Sequence, residues 1–413
     1  MGSSHSRFNG PVSAAERAPT ELWQLILLRA VESPLLPRTG DDVVDGLLLF
    51  SSGCQSRHYY RKTEIVKTRL RLVCRSWNIF LHGVAAHTSF FFGHTLVRAP
   101  IHGGETLKTR RIETADNCIL NQCTCLERRS RPHDLETDTE DIATQVQWVE
   151  YFQLPVLYSR DLRYQLVMEI LDFATRLRAL ALGPTFLFDG ELAHILGHPS
   201  VQHVTHLSVG PFGTYSDEHG TQPLSFPAVE LLLIRIGDYQ TTDGVNSWTF
   251  PSLTSLIINR GTHHRDRGLL HGLDRFLAAH GKQVTSLYIE CKCRREPMNE
   301  TFWDWFPNVR LFGTELSSVY DKPRISNRVT SLAIRKIPPY SSADWTRAGR
   351  YIDPLIKTCR EWGIKQLIIL TSWDELTSNA VSPRELFKED LERGIRVCDV
   401  ERVPMTAPES DGR

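Results

Sequence analysis

A short strand cassette recurs from residue 177 onward, with apolar residues at its first, fourth and sixth positions. Leu177, Leu180 and Leu182 form one copy, and further full copies start at residues 204, 229, 253, 284, 329 and 364. A partial copy keeps Val309 and Phe312. Residues two apart in a strand point to the same face. The cassette therefore predicts a row of similar strands that direct one face at a common core.

The copies start 27, 25, 24, 31, 25, 20 and 35 residues apart, by subtraction of their first residue numbers. These spacings centre on the range of roughly 20 to 29 residues that is typical of leucine-rich repeats. Helical patterns lie between strands at 191–196, 269–280 and 351–362. The usual asparagine of such repeats is missing from most copies. The sequence therefore predicts an α/β fold, an irregular leucine-rich-repeat-like solenoid with a parallel sheet.

The same corner precedes three of these strands, as Phe226-Pro227, Phe250-Pro251 and Phe306-Pro307. Proline cannot donate to a sheet ladder, and it biases the preceding residue towards extended geometry. Each corner is thus predicted to turn the chain into a strand, with the phenylalanine packed beneath it.

A helix is predicted after Pro19, to about Val31, because proline and an early carboxylate suit a helix start. Its apolar residues cover about half the circumference, and Leu25 and Leu28 lie outside that arc. One core-facing stripe needs only about 100°. Either the helix has a second apolar surface for a partner, or it lies between two layers of its own domain.

The string around Pro19, together with Leu-Arg-Leu-Val-Cys-Arg-Ser-Trp at 70–77 and Leu81, resembles an F-box. The whole chain resembles the F-box-like proteins common in mushroom-forming fungi. The resemblance implies a three-helix unit that docks on the Skp-family adaptor of a cullin-RING ubiquitin ligase. The adaptor-binding residues it implies are Pro19, Glu21, Leu22, Leu25, Ile26, Leu28 and Trp77.

Two features depart from the family pattern. Ala18 stands where the family usually has leucine, and a long insert separates the two halves of the motif. The insert covers residues 37–62 and contains an apolar run at 47–50.

The predicted organisation has four parts. A disordered leader covers 1–17, the F-box-like helical domain 18–83, the solenoid 84–400 and a flexible tail 401–413. Within the solenoid we expect a first strand over 89–98, a loop insertion at 102–142, a helix over 161–175, a capping helix over 383–391 and a last edge strand over 394–397.

Loops of a repeat domain carry recognition, and aromatic residues and arginine dominate interface hot spots. The substrate-binding candidates are Tyr215, Tyr239, Trp248, His263, His264 and Arg265. The alternative for the His263–Arg265 loop is a solvated surface segment. For Trp303 and Trp305 we expect core packing instead.

No metal or cofactor is predicted. Cys118, Cys123 and Cys125 cluster near His133, but gaps of four and one residues do not match the paired spacing of structural zinc sites. Phosphate-cradling glycine loops, nucleophile elbows and His-Glu-x-x-His motifs are absent from the sequence. We therefore expect a protein that is not an enzyme.

Lysine plus arginine balance aspartate plus glutamate, 48 against 48, so no global field favours nucleic acid. No apolar run is long enough to span a bilayer, and nine cysteines favour free thiols. We expect a cytoplasmic or nuclear protein, with no stable membrane insertion. Gly2 and Ser6 fit an N-myristoylation pattern, which a serine-rich leader also matches by chance.

The sequence and the resemblance together predict a substrate-recognition subunit of a Skp-cullin-F-box type ubiquitin ligase. The adaptor would bind the N-terminal helices, and an unidentified protein substrate would bind the solenoid. The alternative is a protein-interaction scaffold outside any ligase that has an F-box-like fold.

Overall fold

The computed structural model describes a defined part of the chain, and every structural statement below concerns that part. The described residues are 19–31, 37, 42–50, 63, 65–83, 87–92, 95–98, 109–114, 149–153, 160–182, 194–210, 223–236, 243–260, 272–291, 300–315, 325–335, 359–370, 394–399, 402 and 404–405. The predicted leader, the predicted capping helix and the cysteine cluster at 118–125 lie outside it.

Helices occupy the N-terminal region and several connections between strands. The α-helices are α1 Thr20–Ala30, α2 Val43–Leu49, α3 Arg75–Gly83, α4 Arg160–Phe173, α5 Asp243–Asn246, α6 Asp274–His280 and α7 Glu300–Trp305. Residues 65–71 are also helical. Short 3-10 helices cover Pro199–His203 and Gly281–Gln283. None of these described helices is long and apolar enough to cross a membrane.

The strands follow the order β1 His87–Phe92, β2 Thr95–Arg98, β3 Thr109–Thr114, β4 Tyr151–Gln153, β5 Ala179–Ala181, β6 His206–Val209, β7 Leu231–Ile236, β8 Ser255–Arg260, β9 Ser286–Cys291, β10 Leu311–Glu315, β11 Ser331–Arg335, β12 Gln366–Ile369 and β13 Arg396–Cys398. They form one sheet in the order β13-β12-β11-β10-β9-β8-β7-β6-β5-β4-β3-β1-β2. Only β1 and β2 pair antiparallel; the other neighbours are parallel. The predicted solenoid with a parallel sheet is confirmed.

The main core lies on one face of this sheet. Leu232, Leu256 and Leu287 share one register row, and Ile234, Ile258 and Ile289 share the next row on the same face. All six side chains are at most 2% exposed. The cassette positions predicted from sequence are buried in one continuous cluster from β3 to β13, so that prediction is confirmed.

A repeated backbone fork sets the start of successive strands. The carbonyl of Glu230 accepts the N–H groups of both Thr254 and Ser255, at 2.9 Å each. The carbonyl of Thr254 accepts those of Thr285 and Ser286 in the same way. Equivalent forks occur at residues 150, 178, 205, 285, 310 and 330. Threonine hydroxyls add a bond to the same oxygen in several repeats, as from Thr254 to Glu230 at 3.2 Å. This ladder holds neighbouring repeats in register without the usual asparagine.

The Phe-Pro corners pack as predicted. Phe226, Phe250 and Phe306 are at most 1% exposed. The rings of Phe226 and Phe250 are stacked, with centroids 5.2 Å apart and planes 13° from parallel. The first two corners therefore stack ring on ring under their strand starts, and Phe306 packs against Phe302.

The second face of the sheet is covered by α2. This helix belongs to the insert that we predicted as part of the helical domain, yet its buried residues pack on Leu231, Ile257 and Tyr288 in a second apolar cluster. The backbone N–H of Val43 donates to Ser286 Oγ at 3.2 Å. At least residues 43–50 of the insert therefore pack on the repeat sheet.

Gly46 sets how closely α2 approaches the sheet. A Cβ at this position would lie 2.4 Å from Cδ1 of Leu231 and 3.1 Å from Cδ1 of Ile257. Asp42 begins the helix, and its Oδ1 accepts the backbone N–H of Val44 at 2.8 Å. Asp42 Oδ2 also accepts a hydrogen bond from Arg402 near the C-terminus.

Both ends of the chain differ from the predicted organisation. The predicted first strand at 89–98 is an antiparallel pair, β1 and β2. The predicted loop insertion at 102–142 contains β3, where Arg111 and Glu113 form a buried ion pair. In the predicted flexible tail, Pro404 bridges Cys398, and the N–H of Met405 donates to the carbonyl of Val397 at 2.9 Å. Residues 404 and 405 of the predicted tail therefore contact the end of β13.

Candidate functional site

The N-terminal helices form a small separate core. Leu27, Val31 and Leu81 are at most 4% exposed and contact one another, with Leu70 and Phe80 against them. The indole rings of Trp23 and Trp77 pack at 5.4 Å between centroids. Helical spacing places Trp23, Leu27 and Val31 on one stripe of α1, and this stripe is the one that the core buries.

The opposite half of α1 is apolar and exposed. Leu22, Leu25, Ile26 and Leu28 are 46%, 55%, 44% and 42% exposed. Leu22 and Ile26 belong to the same apolar arc as Leu27, but only the edge of that arc formed by Trp23, Leu27 and Val31 faces the core. A helix enclosed between two layers of one domain would hide these four side chains. That alternative is therefore wrong for α1.

The other residues implied to bind the adaptor surround this apolar face. Pro19 and Glu21 are exposed at the start of α1. Trp77 is half-buried, because its ring faces Trp23 inside the helical unit. It stabilises the unit and leaves only part of its ring accessible.

Sequence reasoning missed a further group of exposed apolar residues in the same unit. Ile65, Leu72, Val73 and Ile79 are 53%, 82%, 60% and 65% exposed. Helical spacing could have identified Ile79, since it lies about 200° around α3 from the inward-facing Trp77. Of the nine large hydrophobic residues that are exposed in the described chain, eight therefore lie between residues 22 and 79.

Cys74 is exposed. Its thiol lies just before α3, 3.2 Å from the hydroxyl of Ser76. This hydrogen bond, and a second from the backbone N–H of Trp77, lower the pKa of the thiol. The sulfur thus caps the start of α3.

Trp248 does not lie on a recognition surface. Its side chain is 5% exposed and packs edge-on against Phe226, with ring centroids 5.6 Å apart. We therefore remove Trp248 from the substrate-binding candidates, since a partner cannot reach its ring. Trp303, by contrast, is buried as expected, at 9% exposure.

The remaining substrate-binding candidates lie outside the described residues. Tyr215, Tyr239 and the His263-His264-Arg265 run follow β6, β7 and β8 in the sequence. These strands are adjacent and parallel, so their C-terminal ends lie at the same edge of the sheet. The predicted residues thus follow neighbouring strand ends, and their role as contacts stays a prediction.

Polar side chains mark the same edge on the face that α2 covers. Glu290 Oε2 accepts hydrogen bonds from Asn259 Nδ2 at 2.9 Å and from an Arg335 guanidinium nitrogen at 3.1 Å. Burial raises the pKa of the nearby Tyr288 hydroxyl, and the positive charge of Arg335 opposes that shift. The Glu290 carboxylate is thus paired with the Arg335 guanidinium and the Asn259 amide, which indicates a hydrogen-bond network with a structural role.

In the described part of the chain, no group of three or more His, Cys, Asp or Glu side chains could hold a metal ion. The cysteines and histidine at 118–133 are outside that part. The apolar face of α1, with the exposed residues of 65–79, is therefore the candidate site that the structure defines.

No protein-family model matches this chain, and no curated protein matches it. Among solved structures, it is similar to the leucine-rich repeat-containing protein LegL7 from Legionella pneumophila, with 15% identity and a TM-score of 0.37. That match covers 63% of this chain and 94% of LegL7. The strand order and the carbonyl ladder define the class independently: the chain is a leucine-rich-repeat-like solenoid with a helical N-terminal unit.

Proposed function

We propose that this protein is the substrate-recognition subunit of a Skp-cullin-F-box type ubiquitin ligase. The N-terminal helical unit binds a Skp-family adaptor through the exposed half of α1. The repeat domain holds a protein substrate. The partner class comes from the F-box resemblance, and the need for a partner comes from the exposed apolar face.

The observation that carries the proposal is the concentration of eight of nine exposed large hydrophobic residues in the N-terminal unit. Large contiguous apolar patches on a protein surface mark interaction sites. Fully burying a leucine or isoleucine side chain contributes about 1.5 to 3 kcal/mol, so covering the exposed halves of Leu22, Leu25, Ile26 and Leu28 would contribute on the order of 4 kcal/mol. That gain is large enough to support a specific interface when polar contacts are added.

In this proposal the chain supplies no catalytic residue. It brings a substrate close to a ubiquitin-charged enzyme, and proximity alone raises the effective concentration of the reacting groups. The loops that follow β6, β7 and β8 are the proposed substrate contacts, because α2 already covers the middle of the second sheet face.

A scaffold outside any ligase is the second candidate, and Ala18 favours it. Leucine is usual at this position in F-boxes, and alanine offers less apolar area to an adaptor. Such a scaffold would still use the exposed face of α1, but for a different protein partner.

Co-purification with a fungal Skp-family adaptor tests the proposal. We expect the full-length protein to retain the adaptor and a Leu25→Glu/Ile26→Glu variant to lose it. Phe173→Glu is the matched control, because Phe173 is 41% exposed but lies in α4 of the repeat domain. It should bind as wild type does. If a folded wild-type protein does not retain the adaptor, the ligase proposal fails and the scaffold remains.

A further inference from the structure

The connection between the N-terminal unit and the repeat domain is made at two separate places. The first is the chain itself, since only residues 84–86 separate the end of α3 from the start of β1. The second is α2, which lies between α1 and the helix at 65–71 in the sequence but packs on β7, β8 and β9. A segment of the N-terminal region is therefore seated far along the sheet.

The distance between the two attachment points follows from the strand order. From β1 to β8 the sheet passes through β3, β4, β5, β6 and β7, which is six strand intervals. At about 4.8 Å per interval this is about 29 Å along the sheet. Asp42 lies eleven residues after Val31, so the chain between them spans at most about 40 Å. A connection of this length can span the interval of about 29 Å between β1 and β8.

The contacts of α2 are those of a firmly held segment. Val43, Val44, Leu49 and Phe50 are at most 4% exposed. The ring of Phe50 packs against Tyr151 of β4, with centroids 6.2 Å apart. A helix of seven residues is not stable alone in water, so α2 is helical because it is docked. Its folding and its binding to the sheet are one event.

We propose that the second face of the sheet is a helix-binding surface whose occupant is α2, and that α2 is the second anchor of the N-terminal docking unit. With one short connection at β1, the helical unit could rotate relative to the repeat domain. A second attachment about 29 Å away along the sheet restricts that rotation. The exposed face of α1 then keeps a fixed direction relative to the repeats. This inference does not depend on the identity of the partner that α1 binds.

The test uses the full-length chain without any partner. Gly46→Leu places a side chain where even a Cβ would meet Leu231 at 2.4 Å, so it should unseat α2. We expect amide hydrogen exchange over residues 43–50 to rise at least about ten-fold while β10 to β12 stay protected. The radius of gyration from small-angle X-ray scattering should increase, because the helical unit is then held at one point.

Two neighbouring residues on β8 provide a matched pair if Gly46→Leu does not fold. Ile257 faces α2, whereas Leu256 faces the main core, and each is at most 1% exposed. Ile257→Ala should speed exchange over 43–50 and increase the radius of gyration. Leu256→Ala should lower the unfolding midpoint without either effect at temperatures below that midpoint.

Three results would overturn the inference. The first is fast exchange over residues 43–50 in the wild-type protein. The second is faster exchange in the Gly46 variant with an unchanged radius of gyration, and the third is identical behaviour of Ile257→Ala and Leu256→Ala. None of these measurements uses an adaptor, so they separate this inference from the proposed ligase function.

Discussion

Asp42 and Arg402 lie 360 residues apart in the sequence and form an ion pair at the start of α2. Arg402 adopts a positive φ of 62°, which is unfavourable for a residue with a side chain. The pairing partner of this strained residue is the same carboxylate that caps α2. The segment after β13 and the insert near the N-terminus therefore meet at one aspartate.

The two roles of Asp42 can be separated by substitution. Asp42→Ala removes both the cap and the ion pair, and should lower the free energy of unfolding by about 1 to 2 kcal/mol. Asp42→Asn keeps a side-chain oxygen for the cap and should lose less than about 1 kcal/mol, because the ion pair is partly exposed. Urea denaturation of both variants measures the difference. Equal losses would mean that the cap contributes nothing.

The exposed and buried stripes of α1 should respond differently to substitution. Leu25→Glu should change the free energy of unfolding by less than about 0.5 kcal/mol, because the side chain is 55% exposed. Leu27→Ala, at 2% exposure, should cost about 2 to 5 kcal/mol within the helical unit. Amide hydrogen exchange over residues 20–31 follows that unit. A large loss from Leu25→Glu would show that this side is not free.

His280 should make stability depend on pH. Its Nδ1 lies 3.2 Å from Gln283 Nε2, and that amide nitrogen also donates to the carbonyl of Phe250. Nδ1 is therefore an acceptor, and Nε2 donates to the carbonyl of Trp248 at 3.3 Å. Burial lowers the pKa of His280, which keeps the ring neutral in the folded protein.

The direction of the pH effect follows from that lowered pKa. In the unfolded chain His280 binds a proton below about pH 6.5, whereas in the folded protein it does so only at lower pH. Its contribution to stability is therefore complete above about pH 6.5 and is lost as the pH falls towards the folded pKa. The slope is at most about 1.4 kcal/mol per pH unit. His280→Gln should lose this slope between pH 6.5 and 5, and an unchanged slope would contradict the assignment.

Trp248 should behave as a core residue. Trp248→Ala should lower the free energy of unfolding by about 3 to 5 kcal/mol, because it leaves a cavity beside Phe226 and Phe250. The neighbouring Thr249 has an exposed side chain, so Thr249→Ala should change it by less than about 0.5 kcal/mol. Thermal denaturation compares the two. A stable Trp248→Ala protein would mean that the indole is not packed in the core.

Gly313 leaves room for the ring of Tyr288 on the neighbouring strand. A Cβ on Gly313 would lie 2.4 Å from Cδ2 and 3.3 Å from Cγ of that ring. Gly313→Ala should therefore cost about 1 to 3 kcal/mol by overpacking. In a Gly313→Ala/Tyr288→Leu double variant the loss should be smaller than the sum of the single losses. Additive losses would show that the two residues do not interact.

The sequence was sufficient to predict the repeat sheet because each cassette copy carries the same local pattern. Leu256 and Ile258 are two residues apart, so any strand over them puts both on one face. Repetition of that pattern specifies neighbours as well as strands. The helical unit was predictable for a similar reason, since Trp23, Leu27 and Val31 follow helical spacing.

The elements that could not be predicted depend on contacts between distant residues. The packing of α2 on the sheet joins residues about 243 positions apart, such as Val43 and Ser286. A helix of seven residues is also too short for its apolar pattern to show which surface it packs on. In β3, Arg111 and Glu113 resemble a polar loop until they pair, and the Arg111 guanidinium lies 3.6 Å from the centre of the Tyr151 ring. Trp248 lies between α5 and the Phe250-Pro251 corner, and nothing local shows that its ring turns inward.

Because of the forked carbonyl ladder, the register between neighbouring strands does not depend on the length of the repeat that joins them. Each fork fixes the start of a strand against the carbonyl oxygen of the residue just before the preceding strand, whatever the chain does in between. Successive forks tie Arg310 to Thr330 across 20 residues and Thr330 to Lys365 across 35 residues, with the same bonding pattern. Connections of very different length are therefore compatible with the same strand pairing. A foreign loop inserted between two forks should leave the order and register of the strands unchanged.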